Sequence, residues 1–105
     1  MQKYKIELLA PAWRELDAIA EMHLALVGAR SAAKITDSIL DALMKLGDVP
    51  LAGMKVKNKE LAEQGYRMLI VGNYLCFYKF DAVTVTVFHI VDGRKNYPRL
   101  LVDMM

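Results

Sequence analysis

Three runs of β-branched and aromatic residues in the second half of the chain most constrain what this sequence can fold into. They span residues 66–71, 74–80 and 83–91. Gly72-Asn73 separates the first two runs and suits a tight hairpin turn, whereas Asp81-Ala82 between the second and third is a weaker turn signal. The sequence therefore predicts an antiparallel three-stranded meander, around which the rest of the chain must be arranged.

The chain before this meander begins with a predicted strand and a predicted helix. Residues 4–8 alternate apolar and charged, which indicates a strand with one buried face. Pro11 is suited to the first turn of a helix over residues 11–27, and Gly28 to a left-handed cap at its end. The apolar stripe of this helix is predicted to be Trp13, Leu16, Ile19, Ala20, His23 and Val27.

A second amphipathic helix follows after a short connection. Ser31 can cap its start, and Gly47 and Pro50 end it. Its apolar face is predicted to be Ala32, Ile35, Ile39, Leu43 and Leu46. The two helices form an antiparallel αα-hairpin, which is expected to pack on the sheet through Trp13, Leu16, Ile39 and Leu43.

The remaining segment, residues 51–65, has no clear period and is interpreted as a loop with a helical turn near residues 60–63. The predicted order is β-α-α-β-β-β. This order indicates an α+β fold in which the αα-hairpin covers one face of a four-stranded antiparallel sheet. We interpret residues 1–105 as a single domain, and the pattern leaves open where the first strand pairs in the sheet.

Composition narrows the class of protein only modestly. The formal net charge is +2 and hydrophobic residues make up 55% of the chain, so a nucleic-acid partner is permitted but not required. Cys76 is the single cysteine, cannot form an internal disulfide, and is predicted to be a buried core residue. Because no apolar run approaches the roughly 20 residues needed to cross a bilayer, we expect a soluble cytoplasmic protein that does not contact a membrane.

The sequence also resembles a known family. The features that carry the resemblance are Tyr66-Arg67, which lies seven residues before Asn73-Tyr74, the Phe77-Tyr78 pair, and the ending Gly93-Arg94-Lys95-Asn96-Tyr97. Within the β-α-α-β-β-β order, this spacing is similar to that of the RelE/ParE superfamily of bacterial toxins. These toxins are the growth-inhibiting halves of type II toxin–antitoxin modules, so the resemblance implies a cognate antitoxin as a partner and the possibility of oligomers formed through it.

The resemblance implies two different activities. RelE-like members cut messenger RNA on the ribosome without a metal, and ParE-like members bind and poison DNA gyrase. RelE-type nucleases carry an arginine where this chain has Leu75 and lysines where it has Tyr66 and Met68, whereas Arg94 matches an arginine that those nucleases keep. We narrowly favour RNA cleavage. The alternatives are gyrase binding and a degenerate toxin that only binds its antitoxin.

If the chain cleaves RNA, its cations should hold the scissile phosphate. Arg67 and Arg94 are the candidate phosphate-binding residues, because a guanidinium offers a planar and permanently charged fork. Tyr97 is the candidate for stacking on a base or donating a proton. The candidate substrate-binding residues are Lys55, Lys57, Lys95 and Arg99. A structural or solvated role is an equal alternative for Arg67, and Asp92 should partly cancel the charge of Arg94.

No cofactor or metal is predicted. If side chains alternate regularly along the third run, His89 lies on the same strand face as Val83, Val85 and Val87. It is therefore interpreted as a core residue with a polar partner. His23 on the first helix has the same interpretation. The two histidines are not at metal-ligand spacing, and no cluster of cysteines or carboxylates accompanies them.

Overall fold

The computed structural model describes residues 4–94. Its elements follow the chain as β1 (Lys5–Leu8), α1 (Ala10–Leu26), α2 (Ala29–Lys45), a 3₁₀ turn (Pro50–Ala52), β2 (Met54–Lys55), α3 (Lys59–Glu63), β3 (Arg67–Val71), β4 (Tyr74–Phe80) and β5 (Thr84–Asp92). This arrangement confirms the predicted α+β fold. Within this part of the chain, no helix is both long and apolar enough to span a membrane.

The sheet has five strands in the order β1-β5-β4-β3-β2, one more than the sequence predicts. The additional strand β2 has only two residues and pairs antiparallel with β3, so it is too short to give an alternating pattern. The first strand β1 pairs in parallel with β5, while β3, β4 and β5 form the predicted antiparallel meander.

The turns of the meander differ in how they are stabilised. Gly72 has a φ of +60°, as expected for the first position of the two-residue turn predicted there. At the other turn, Oδ1 of Asp81 accepts hydrogen bonds from the backbone N–H groups of Val83 and Thr84, both at 2.8 Å. These bonds lower the pKa of the Asp81 carboxyl group. Val83 thereby belongs to the turn and is exposed, so its predicted place on an apolar strand face is wrong.

The αα-hairpin covers one face of the sheet, which we call the helix face. The buried residues of this core are Ala12, Leu16, Ile19, Ile39, Leu43, Leu46, Tyr74, Cys76, Tyr78, Val85, Val87 and Ile90. Leu16, Ile39 and Leu43 therefore pack as predicted. Trp13 does not, because the stripe passes through Ala12 and Leu16, and the next residue along the helix is rotated by about 100°; its side chain is 47% exposed.

Three predictions about the connection between α1 and α2 are wrong. Helix α2 begins at Ala29 with Gly28 as its N-cap, so Ser31 lies inside the first turn and does not cap it. Gly28 has a positive φ of 139°, but its ψ of 176° is extended and not that of a left-handed helical cap. Val27, predicted to be on the buried stripe, is instead exposed in the connection.

A second hydrophobic cluster lies on the opposite face of the sheet, which we call the α3 face. Its buried residues are Val56, Leu61, Tyr66, Met68, Leu75 and Phe77, with Ala62, Phe88 and Val91 packed against them. The predicted helical turn near residues 60–63 is present as α3. The side chain of Asn58 caps it by accepting a hydrogen bond from the N–H of Leu61 at 3.0 Å.

Strand β5 contains a β-bulge that changes its side-chain alternation. Phe77 pairs with His89 whereas the next residue, Tyr78, pairs with Val87, so one extra residue of β5 lies between them. Next to the bulge, the carboxylate of Glu15 lies 3.1 Å from Nδ1 of His89 and accepts a 3.1 Å hydrogen bond from the N–H of Ile90. His89 is therefore a buried residue with a polar partner, as predicted, and this contact ties α1 to β5.

Candidate functional site

Arg67 is tied to the backbone of the 3₁₀ turn region. Its Nη2 donates a 2.6 Å hydrogen bond to the carbonyl oxygen of Gly53 and a longer one of 3.4 Å to that of Leu51. The hydroxyl of Tyr78 reinforces the same segment, since it donates to the carbonyl of Pro50 at 2.6 Å and accepts from the N–H of Gly53 at 3.0 Å. A Cβ at position 53 would lie only 2.5 Å from that hydroxyl, so glycine is required there.

Arg94 is held by its near neighbour in the chain. Its Nε and Nη2 donate hydrogen bonds of 2.9 and 2.6 Å to the two carboxylate oxygens of Asp92. These bonds and the negative charge of Asp92 raise the pKa of Arg94. The side chain is exposed, and the carboxylate compensates much of its charge, as anticipated from the sequence.

The structure does not bring these two arginines together. Arg67 pairs across the ladder with Tyr78. Arg94 follows Asp92, which pairs with Tyr74. Residues 74 and 78 are four positions apart on β4, or roughly 13 Å along a strand, so the arginines lie at opposite ends of the meander. One phosphate group cannot contact both.

The remaining predicted cations fall into two groups. Lys55 pairs with Arg67 at the edge of the sheet, and Lys57 follows just after β2; both are exposed. Lys95, Tyr97 and Arg99 lie outside the described residues, so their roles stay predictions. The described cations of the candidate site therefore divide between the two ends of the meander.

The three positions where RelE-type nucleases carry cations do come together in space. Tyr66, Met68 and Leu75 all belong to the cluster on the α3 face and are only 6%, 5% and 7% exposed. Each side chain is packed against apolar neighbours under α3. In this chain, the positions that the sequence comparison aligns with the cationic centre of RelE-type nucleases form part of a hydrophobic core.

One cation on the α3 face was missed by the sequence analysis. The ammonium group of Lys79 lies 4.0 Å from the centre of the Tyr66 ring and 5.6 Å from that of Phe88. Alternation along β4 places Lys79 on the same face as Leu75 and Phe77, which is the signal that could have identified it. Its contact with the two rings is a cation–π interaction that covers the edge of the apolar cluster.

An open cavity of about 320 Å³ lies between the αα-hairpin and the turn that joins β3 and β4. Its apolar walls are formed by Met22, Leu26, Val27 and Ile35, and its polar wall includes His23, Tyr74 and Arg94. These residues come from the far end of the hairpin, from the start of β4 and, for Arg94, from just after β5.

A chain of hydrogen bonds forms the floor of this cavity. Nδ1 of His23 lies 3.0 Å from Oγ of Ser31, and its Nε2 lies 3.1 Å from the hydroxyl of Tyr74. Burial and the charge of Asp92 raise the pKa of Tyr74, which the charge of Arg94 opposes. His23 therefore has polar partners, as predicted, but it is half-buried and lies outside both hydrophobic clusters, so its predicted place in the core is wrong.

Neither the thiol of Cys76 nor a metal-binding cluster adds a reactive group within the described residues. Burial raises the pKa of the Cys76 thiol to about 12, so it is neutral and enclosed in the core of the helix face. Within residues 4–94, no group of three or more histidine, cysteine, aspartate or glutamate side chains is placed to hold a metal ion.

Comparison with known proteins identifies relatives of this fold. A family model described as the ParE toxin of the type II toxin–antitoxin system parDE matches residues 6–97. No curated protein matches the sequence. Among solved structures, the chromosomal ParDE system from P. aeruginosa has a TM-score of 0.74 at 19% identity, covering 86% of this chain and 96% of that chain.

Two further solved structures share the fold. The toxin–antitoxin complex RelBE2 from Mycobacterium tuberculosis has a TM-score of 0.64 at 18% identity, covering 88% of this chain and 93% of that one. The YoeB/ParE toxin from Agrobacterium tumefaciens has a TM-score of 0.57 at 15% identity, covering 84% of this chain and 96% of that one. At these identities, the three structures establish a common architecture.

Proposed function

This chain belongs to the ParE toxin family of type II toxin–antitoxin systems, and we propose that it arrests growth by binding DNA gyrase and not by cleaving RNA. Membership confirms the resemblance to the RelE/ParE superfamily. The choice of target reverses the narrow preference drawn from sequence, and it rests on the residues of the candidate site.

The observation that carries this proposal is the apolar cluster on the α3 face. Metal-free cleavage of RNA requires preorganised cations around the pentacoordinate phosphate. Tyr66, Met68 and Leu75 occupy the positions of those cations in RelE-type nucleases, and all three are buried among apolar side chains. An RNA phosphodiester, whose pentacoordinate transition state carries two negative charges, would there meet apolar side chains in place of three cations, with the Lys79 ammonium at the edge of the cluster, which is unfavourable.

The two arginines support the same proposal. Arg67 is engaged with backbone carbonyl groups, and Arg94 with the carboxylate of Asp92. They lie at opposite ends of the meander, so neither can assist the other at one phosphate. A toxin that acts by binding needs no such constellation, because its activity resides in an interaction surface.

As a toxin of a type II system, the protein has an antitoxin as its partner. We propose that an acidic antitoxin segment orders on this domain when it binds, and that oligomers form through the antitoxin. Co-expression of the two proteins should give a complex and relieve growth arrest. This interaction is compatible with either target.

The target can be tested in cells and with purified protein. We expect the protein to inhibit supercoiling by purified gyrase, and induced cells to show DNA-damage signalling while primer extension finds intact transcripts. Arg94→Ala is the matched control, because a nuclease that used Arg94 would lose about 10²–10³ in rate. Transcript fragments that appear with the wild type and vanish with Arg94→Ala would instead establish RNA cleavage.

A further inference from the structure

The apolar wall of the open cavity near Arg94 is made largely of residues that the core does not use. Met22, Leu26 and Val27 line the cavity, and none of them belongs to either hydrophobic cluster. Leu26 and Val27 are 78% and 73% exposed, and Met22 is also exposed. Single exposed apolar residues are normal, but three that line one recess with a polar opposite wall mark an interaction site.

The polar wall of the cavity presents a guanidinium group. Asp92 holds Arg94 through hydrogen bonds of 2.9 and 2.6 Å, yet the side chain of Arg94 is still 65% exposed, against 18% for Asp92. Arg94 is therefore fixed beside the cavity while much of its surface stays open to a second carboxylate. A guanidinium binds such a group through paired, charge-assisted hydrogen bonds.

The charge around the cavity restricts what can bind there. No aspartate or glutamate occurs between Glu21 and Asp37, the segment that forms the helical side of the cavity, whereas Arg30 and Lys34 are both exposed in it. A second copy of this chain would bring these cations against each other. Charge complementarity therefore favours a different partner, whose contacting segment is acidic.

The shape of the cavity indicates the form of that partner. It is concave, and its volume of about 320 Å³ is near the lower end of the range for ligand pockets, so it suits a few side chains of one segment and not a folded surface. Apolar grooves of this kind are where segments dock that order on binding. The antitoxin is the partner that family membership establishes for this chain, and its acidic segment has the required chemistry.

We propose that an acidic segment of the antitoxin occupies this cavity. It places an apolar side chain against Leu26 and Val27 and a neighbouring carboxylate on Arg94, where that carboxylate competes with Asp92. This inference rests on the part of the proposed function that concerns the antitoxin, and it holds whichever target the toxin has. It makes Asp92 an internal competitor that limits the affinity of the complex.

The first test removes apolar contact from the cavity wall. Leu26→Ala should weaken binding of the purified cognate antitoxin by about tenfold, the loss typical of an interface residue that matters. The matched control is Leu24→Ala. Leu24 is 55% exposed on the same helix but lies about 200° around it from Leu26 and does not line the cavity. The control should bind like the wild type, and thermal unfolding should establish that both variants fold.

The second test removes the charge of the polar wall. Arg94→Gln should weaken antitoxin binding by about tenfold at low salt, and the difference from the wild type should shrink as salt screens the charges. The matched control is Arg14→Gln, which removes the same charge from an exposed position on α1 outside the cavity. Equal affinities of these two variants would overturn the ion pair with Arg94.

The third test concerns the competition at Arg94. Asp92→Asn keeps an oxygen to accept the hydrogen bond from the backbone N–H of Arg94 but removes the negative charge that faces the incoming carboxylate. This variant should bind the antitoxin about threefold more tightly than the wild type or better. Unchanged or weaker binding would contradict the competition.

Binding to purified gyrase is measured on the same proteins. Weaker antitoxin binding by Leu26→Ala and Arg94→Gln, with both controls like the wild type, supports the proposal. Unchanged antitoxin binding overturns it, and loss of gyrase binding alone does so as well, because the cavity would then belong to the target. A wild-type protein that binds the antitoxin but not gyrase overturns the proposed target and leaves this inference in place.

Discussion

The two faces of the sheet are both apolar, but they are covered in different ways. Two helices of 17 residues each cover the helix face. On the α3 face, the covering helix has five residues and rests on Tyr66, Met68 and Leu75. The sequence comparison aligns these three positions with cations of RelE-type nucleases, and in the present chain they contribute to packing and hence to stability.

The largest expected effect on stability comes from a matched pair of leucines, one in the hydrophobic cluster of each face. Leu43 and Leu61 are both almost fully buried. Leu43→Ala should lower the free energy of unfolding by about 2–5 kcal/mol, the range for a buried leucine. Leu61→Ala should cost less, because a five-residue helix can collapse into the space that the side chain leaves. Denaturant unfolding checks both, and equal losses would contradict the distinction between the two faces.

An intermediate effect is expected at Arg67. Arg67→Met should lower the free energy of unfolding by about 1–3 kcal/mol, because the carbonyl oxygen of Gly53 loses its donor. Arg67→Lys should lose less, since it keeps one donor and the charge. Denaturant unfolding measures both variants, with growth arrest scored in parallel. Arrest that disappears in both while stability is unchanged would assign Arg67 to function and not to structure.

The smallest effect is expected at Arg94. Its side chain is exposed and pairs with Asp92, two positions earlier in the chain, so Arg94→Ala should leave the free energy of unfolding almost unchanged. Thermal unfolding at low and high salt measures this. A loss of unfolding free energy comparable to that of Arg67→Met would mean that Arg94 contributes as much to stability as Arg67 does at the other end of the meander.

Local patterns in the sequence were sufficient for most of the fold. Runs of β-branched and aromatic residues identified the strands of the meander, and Gly72-Asn73 located the turn between the first two of them. Alternation identified β1, and three- and four-residue spacing identified both long helices. These signals depend on residues that are close in sequence, so they do not require knowledge of tertiary contacts. Cys76 and His89 are buried as predicted, whereas His23 is half-buried and belongs to neither hydrophobic cluster.

The features that sequence could not give depend on distant contacts. The bulge in β5 shifts the alternation on which the face of His89 was inferred, and its partner Glu15 lies on α1. The role of Arg67 could not be decided from sequence, because its partners are the backbone carbonyl groups of Leu51 and Gly53. Every residue type has such a carbonyl group, so the sequence does not reveal the acceptor. The apolar nature of the α3 face appeared only when Tyr66, Met68 and Leu75 were placed side by side.

The parallel pairing of β1 with β5 has a consequence for how the protein is made. Strand β1 is synthesised well before its partner and can pair only when residues 84–87 have been made. At translation rates of about 5–20 residues per second, β1 waits on the order of ten seconds. Non-local pairing of this kind also slows folding after release. A message that is interrupted before residue 84 thus yields a helical hairpin without the strand that completes its core, and the domain acquires its fold only after β5 has been made.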